Sequence, residues 1–363
     1  MAIKSPIGLG FFKMETLRFF SLAKSWQKEL KMNAIIEMFT FALSDYSFRL
    51  VSLSCLILGM SSGAIGCFAT LRREALLADC IAHSSLAGVG VAFLLFGTKE
   101  LIVLLTGALI MGLIAVAAIQ YIVSSTKIKR DSAIAIILAS IFGFGLVILT
   151  YINKLPGSAK AGLDKLIFGQ AATLVRTDLD MIFITSVSVV ALLVLFFRDI
   201  KISVFDPAFA RTVGVNSKLI SFILSLCLSV TVVVGIQTAG VILIISMIVA
   251  PAIAARQWTS HLATMLLLSA LFGAIASFIS SMISMYYSVP TGPVTVLILS
   301  VFAFVSLFFA PHRGILYRQI RLNRQRAQLR HVLSCGECED KEEILKAAGL
   351  SVAVSSAHEG DEK

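Results

Sequence analysis

Charge is what this sequence has least of. Only 14% of its 363 residues are Asp, Glu, Lys or Arg, against about 25% in an ordinary soluble domain. Two long stretches, Leu219–Ala255 and Leu262–Ala310, hold none at all. That scarcity excludes a soluble globular protein. With 58% hydrophobic residues and a mean hydropathy of +0.92, the chain reads as an all-α polytopic membrane protein. A disulfide framework is also missing: of six cysteines, Cys55, Cys67, Cys80 and Cys227 fall inside apolar spans. There is no GxxxxGK[ST] phosphate loop, so any ATP hydrolysis must come from another subunit, and no HExxH cluster that would mark a metal hydrolase. The first residues, MAIKSPIGLGFFKMETLRFF, lack the continuous apolar core and small-residue cleavage site of a secretory signal.

What is present is a succession of apolar spans. Residues 1–49 mix apolar clusters with Lys13, Glu15, Arg18, Lys24, Lys28, Glu29 and Lys31, which predicts an amphipathic interfacial extension. Spans follow at Leu50–Leu71, Ala75–Phe96, Leu101–Val123, Ala133–Tyr151 and Met181–Phe197, with a polar connection over Asn153–Asp180. Leu219–Ala255 is long enough for two crossings, broken within Gly235–Gly240, and Leu262–Ala310 for two more, turning at Pro290, Gly292 and Pro293. That makes about eight or nine membrane helices.

The net charge of +10 would suggest nucleic acid in a soluble chain; here it follows from basic loops. If loops alternate sides, sixteen basic residues up to Arg330 share one side with Arg72 and Arg73, and five share the other with Lys99. The richer side is predicted cytoplasmic. This parity puts the basic N-terminal segment outside, a conflict relieved if it dips into the membrane or if the chain starts at Met32 or Met38.

Leu71 to Gly90, LRREALLADCIAHSSLAGVG, sets Asp79 and His83 four residues apart, on one face of a helix. Carboxylate and imidazole both ligate first-row divalent metals. Ionisable side chains inside a membrane are costly and face cavities or pathways. The competing reading makes Asp79 a helix cap and His83 a packing residue. Further on, FDPAFARTVGV (Phe205–Val215) lies in the longest cytoplasmic loop. Asp206 as N-cap, Pro207 at the first helical position and Gly214 as stop predict a short helix of about two turns. It is either a bare interfacial helix or a docking element for a cytoplasmic protein.

With these stretches in hand, the chain resembles the permease subunits of ATP-binding-cassette importers for manganese, zinc and iron, over roughly Leu50 to Arg313. GAIGCFATLRREALLADCIAHSSLAGV is similar to that family's first two spans. LIFGQ at Leu166–Gln170 resembles its external loop, FDPAFARTVGV its coupling helix, and TAGVILIISMIVAPAIAA (Thr238–Ala255) a span ending at a proline beside the cytoplasm. The resemblance implies a type II importer-like permease in a bacterial inner membrane. Asp79 and His83 would line the metal route, and Phe205, Asp206, Pro207, Ala210 and Gly214 would form the helix on the ATPase. The implied partners are a cytoplasmic ABC ATPase, an external metal-binding protein or lipoprotein, and a second permease, identical or similar. No permanently bound cofactor is implied, only the transported ion. Many members carry an acidic residue before the P-x-G turn near the last two spans. This chain has Ser288 there, so no external acidic ligand is implied.

Gly107 and Gly112, Gly143 and Gly145, and Gly273 read as close-packing faces. Gln237, uncharged at the expected break, either satisfies local backbone or touches substrate. From residue 312 onward the chain is predicted to be a basic cytoplasmic tail, partly disordered at its end. There His331, Cys335 and Cys338 match part of a zinc-binding set, His358 being a possible fourth ligand, or are ordinary reduced residues. Three other functions stay open on residues alone. They are a proton-coupled transporter using Asp79 and His83 as a relay, a metal-dependent membrane enzyme, and a metal-sensing scaffold acting through the tail.

Overall fold

A computed structural model describes residues 46–98, 100–154, 174–287 and 289–310, with 314, 317, 319, 322–324 and 326. The N-terminal extension, Leu166–Gln170, Ser288 and His331, Cys335, Cys338 and His358 lie outside the described residues. Among the described residues there is no strand. The helices are α1 (Tyr46–Leu71), α2 (Ala75–Phe96), α3 (Leu101–Ser125), α4 (Arg130–Lys154), α5 (Arg176–Leu195), α6 (Phe197–Phe205), α7 (Pro207–Thr212), α8 (Ser217–Ala239), α9 (Val241–Trp258), α10 (Leu262–Tyr287) and α11 (Thr291–Phe309). Eight are long and apolar enough to cross a membrane, and the shorter α9 is the ninth apolar helix.

Every backbone amide inside a bilayer must find its partner within its own segment, so the apolar runs become helices. Their ends are written in polar and conformationally special residues. Gly97 stops α2 in the left-handed region (φ 62°), its N–H donating to the Phe93 carbonyl at 2.9 Å. Asp131 in the first turn of α4 and Lys154 in its last match the helix dipole. Helix α5 starts at Arg176, inside the stretch expected to be a polar connection. The Asp178 carboxylate accepts from the Val175 N–H at 3.0 Å, which lets the charged residues serve as the helix start.

The uncharged stretch breaks at Gly240, the last residue of the expected window, with φ 84° and ψ 164°, a region open to glycine. Helix α9 runs through Pro251 to Trp258, a little beyond the expected end of the span at Ala255. A proline inside a helix leaves the carbonyl four residues earlier without its partner. Here that is Met247, and the Ser62 hydroxyl of α1 lies 3.3 Å from its oxygen, in position to donate. Ser62→Ala should therefore cost about 1 kcal/mol, read as a lower melting temperature in detergent with the fold intact.

Helix α1 sits at the centre, against α5, α8, α9 and above all α10, while α2 packs on α3, α4, α8 and α9. The approach of α1 to α10 is close because Gly59 faces Gly273; a Cβ on Gly59 would clash with the Gly273 carbonyl. Gly88 and Gly107 meet likewise, Gly145 abuts Ala87 and Gly112 abuts Ile81. Gly143 does not belong to such a face: a side chain there would meet nothing within 4 Å. Phe68, Leu58 and Ile65 of α1, Leu77 and Ile81 of α2, Ile220 of α8 and Ile244 of α9 are fully buried in the core. Side-chain hydrogen bonds staple the layers, as Trp258 Nε1 to Ser306 Oγ (2.9 Å, α9 to α11) and Ser61 to Ser186 (3.1 Å, α1 to α5).

Candidate metal route and docking helix

Asp79 and His83 lie one turn apart in the first half of α2, with Asp79 Oδ1 3.3 Å from His83 Nε2. Both side chains are about a quarter exposed, 28% and 24%, so they are neither sealed in the core nor spread on the lipid face. The imidazole is held by an edge contact to Phe142 of α4, ring centroids 4.7 Å apart. Its Nδ1 is buried without a hydrogen-bond partner among the described residues. Nothing on that side fixes the tautomer, and Nε2 is the atom aimed at the carboxylate.

Asp79 also lines a cavity of about 550 Å³ between α2, α9 and α11, together with Ser246, Ala250, Ser300 and Phe304. Its other walls are apolar. Asp79 stands only about 6 Å along the helix from Ala75, at the end of α2 that follows the basic turn Arg72–Arg73. The α11 lining residues, Ser300 to Leu307, run from the middle of that helix to its end, whereas those of α9, Ile245 to Ile253, straddle its middle. The cavity therefore extends from the Arg72–Arg73 end of α2 to the middle of α9. His83 is not among the residues lining it. Among the described residues no third His, Cys, Asp or Glu joins the pair, so one chain offers two donor side chains and no closed coordination shell.

The expected short helix forms as α7. Asp206 caps it, Oδ1 accepting from the N–H groups of Ala208 (3.1 Å) and Phe209 (2.9 Å), and Pro207 is its first residue. Ala210 is fully buried while Phe205 and Phe209 are mostly exposed. Gly214 adopts φ 83°, and the Val215 N–H returns to the Ala210 carbonyl at 2.9 Å, closing the end. The sequence did not anticipate α6, a charged helix of nine residues leading into α7. Arg198, Asp199 and Lys201, spaced among apolar residues, were its available signal.

Two further polar groups are buried, one at a residue singled out from the sequence and one not. The Gln237 amide oxygen near the end of α8 is buried with no partner among the described residues. Glu74, in the turn before α2, is buried against two arginines.

With fold and geometry in place, comparison with known proteins is decisive. Residues 44–310 match the ABC 3 transport family. This chain belongs to that family. It is similar to the zinc transport system membrane protein TroC of Treponema pallidum, 42% identical over 294 residues that span 81% of this chain and 97% of TroC. It is also similar to the manganese transport system membrane protein MntC of Bacillus subtilis, 39% identical over 75% of this chain and 62% of that protein. Among solved structures, PsaBC from Streptococcus pneumoniae in complex with Fab aligns with a TM-score of 0.69 at 28% identity, covering 80% of this chain and 99% of that one. The ABC 3 chain described here is thus a polytopic permease subunit of an ABC importer and not itself an enzyme, ATP hydrolysis residing in a separate subunit.

Proposed function

We propose that this ABC 3 permease carries a divalent transition metal, manganese or zinc, across a bacterial inner membrane, with Asp79 and His83 as its donors along the route. The observation that carries the reading is the Asp79–His83 pair, 3.3 Å apart on a membrane helix and a quarter exposed beside a cavity. Carboxylate oxygen and imidazole nitrogen suit manganese, zinc and iron alike. Naming manganese or zinc rests on the names of the relatives. The ion is cargo and no resident cofactor is required.

The chemistry of two donors explains passage better than storage. A structural zinc site closes its shell with four protein ligands. A pair leaves positions for water or for donors of a second permease, so the ion can enter and leave by exchanging ligands. Asp79, facing the cavity, then hands the ion toward the cytoplasmic half. The exposed Phe205 and Phe209 around the capped α7 supply an apolar knob for the ATPase subunit, and an external binding protein delivers the ion. The test is uptake of manganese and of zinc, each alone, by cells that lack their own importers and carry the complete system. ATP-dependent uptake of either ion supports the reading; uptake of neither, with the complex assembled, contradicts it.

A further inference from the structure

The Glu74 side chain is only 5% exposed. Two guanidinium groups converge on the same oxygen: Arg72 Nε at 3.0 Å and Arg130 Nη1 at 2.9 Å from Oε1. Arg72 then donates through Nη2 to the Ser221 hydroxyl at 2.7 Å. One carboxylate thus joins three places: the turn between α1 and α2, the first residue of α4, and the second turn of α8. The backbone closes the same corner, the Glu74 N–H donating to the Ala69 carbonyl at 2.8 Å and its carbonyl accepting from Leu77 N–H at 3.0 Å. Burial pushes the Arg72 guanidinium below its ordinary pKa and the Glu74 charge pulls it back.

Buried ion pairs add little net stability over apolar residues of the same shape, so stability alone is a weak reason for this cluster. Its position offers a better one. On one side, Glu74 immediately precedes α2, five residues before Asp79. On the other, Ser221 stands nine residues after Thr212, the end of α7. The short link between them is stiff: Val215 bonds back to Ala210, and Asn216 caps α8 through Lys218 and Leu219 at 3.1 and 3.3 Å. Movement of α7 therefore carries the start of α8, which Arg72 grips, and Arg72 and Glu74 belong to the turn from which α2 begins.

We infer that Glu74, clamped between Arg72 and Arg130, is a positioning residue that links the docking helix α7 to the Asp79–His83 pair. The inference rests on the reading of those two elements given above. It requires that cutting the linkage leave ATP hydrolysis running while metal movement falls.

The test uses the whole importer in proteoliposomes, permease, ATPase and binding protein together, with manganese and zinc supplied singly. In one variant Arg72→Met, Glu74→Leu and Arg130→Met remove the charges together, because removing one alone strands the others. That variant should assemble with its ATPase and hydrolyse ATP, while metal moved per ATP falls roughly tenfold. Ser221→Ala, which deletes a single hydroxyl, should lower the same ratio by about fivefold, and Ser221→Thr should restore it. The ratio is normalised to assembled complex, so a loss of folded protein does not move it. An unchanged ratio in the triple variant overturns the inference, and if that variant does not accumulate, an unchanged ratio in Ser221→Ala does so. Failure of the unsubstituted importer to move either ion strikes instead at the transport reading.

Discussion

Asp79→Ala or His83→Ala should abolish metal uptake while the permease still inserts and still binds its ATPase. The expected loss is large because the described residues of each chain contribute only two donor side chains, so either substitution removes half of what they offer. Disturbing residues that merely orient a ligand already costs about 10–100-fold in affinity or activity, and deleting a ligand costs at least that. His83→Ala has a second effect. It also removes the ring packed on Phe142, so His83→Gln, which keeps a polar group of similar reach, separates packing from coordination. Uptake should stay lost in both variants. The check is accumulation of manganese or zinc by cells, alongside co-purification of the ATPase; normal uptake in either alanine variant would remove that residue from the route.

The second large effect is expected at the docking helix. Gly214 holds φ 83°, where a β-branched residue is strained by about 1–3 kcal/mol. Ala210 is fully buried, so Ala210→Leu must push α7 from its seat at about 1–3 kcal/mol. Asp206→Ala removes both cap hydrogen bonds and costs about 1 kcal/mol of a very short helix. Helix α7 packs chiefly on α6 and α8. Gly214→Val and Ala210→Leu should therefore lose ATPase association or its stimulation, with metal binding to the membrane subunit unchanged. Asp206→Ala should do so partially. Retained ATPase coupling in Gly214→Val and Ala210→Leu would place the docking surface elsewhere.

These two sites differ in how far the sequence alone disclosed them. Helix α7 was legible to its ends because every determinant is local: the cap, the proline and the glycine all act within a few residues. The same holds for the break at Gly240 and for the spacing of Asp79 and His83. What escaped depends on residues distant in sequence. Nothing near Pro251 says what satisfies the carbonyl it frees, since the hydroxyl that reaches Met247 comes from Ser62, 185 residues earlier. Glu74 next to two arginines reads as a solvated turn until Arg130 and Ser221 close over it; Arg72 and Ser221 are 149 residues apart. The cavity beside Asp79 is likewise invisible, because two of its walls come from α9 and α11. Gly143 shows the converse error: its spacing from Gly145 suggested a shared packing face, yet only Gly145 meets a neighbour.

The measurement closest to the central claim is metal uptake into proteoliposomes holding the permease and its ATPase, binding protein outside and ATP inside, with no proton gradient. The account predicts uptake of manganese or zinc that requires ATP and disappears in Asp79→Ala. Uptake that proceeds without ATP once a proton gradient is imposed, and stops when that gradient is dissipated, would contradict it, and would make Asp79 and His83 a proton relay instead.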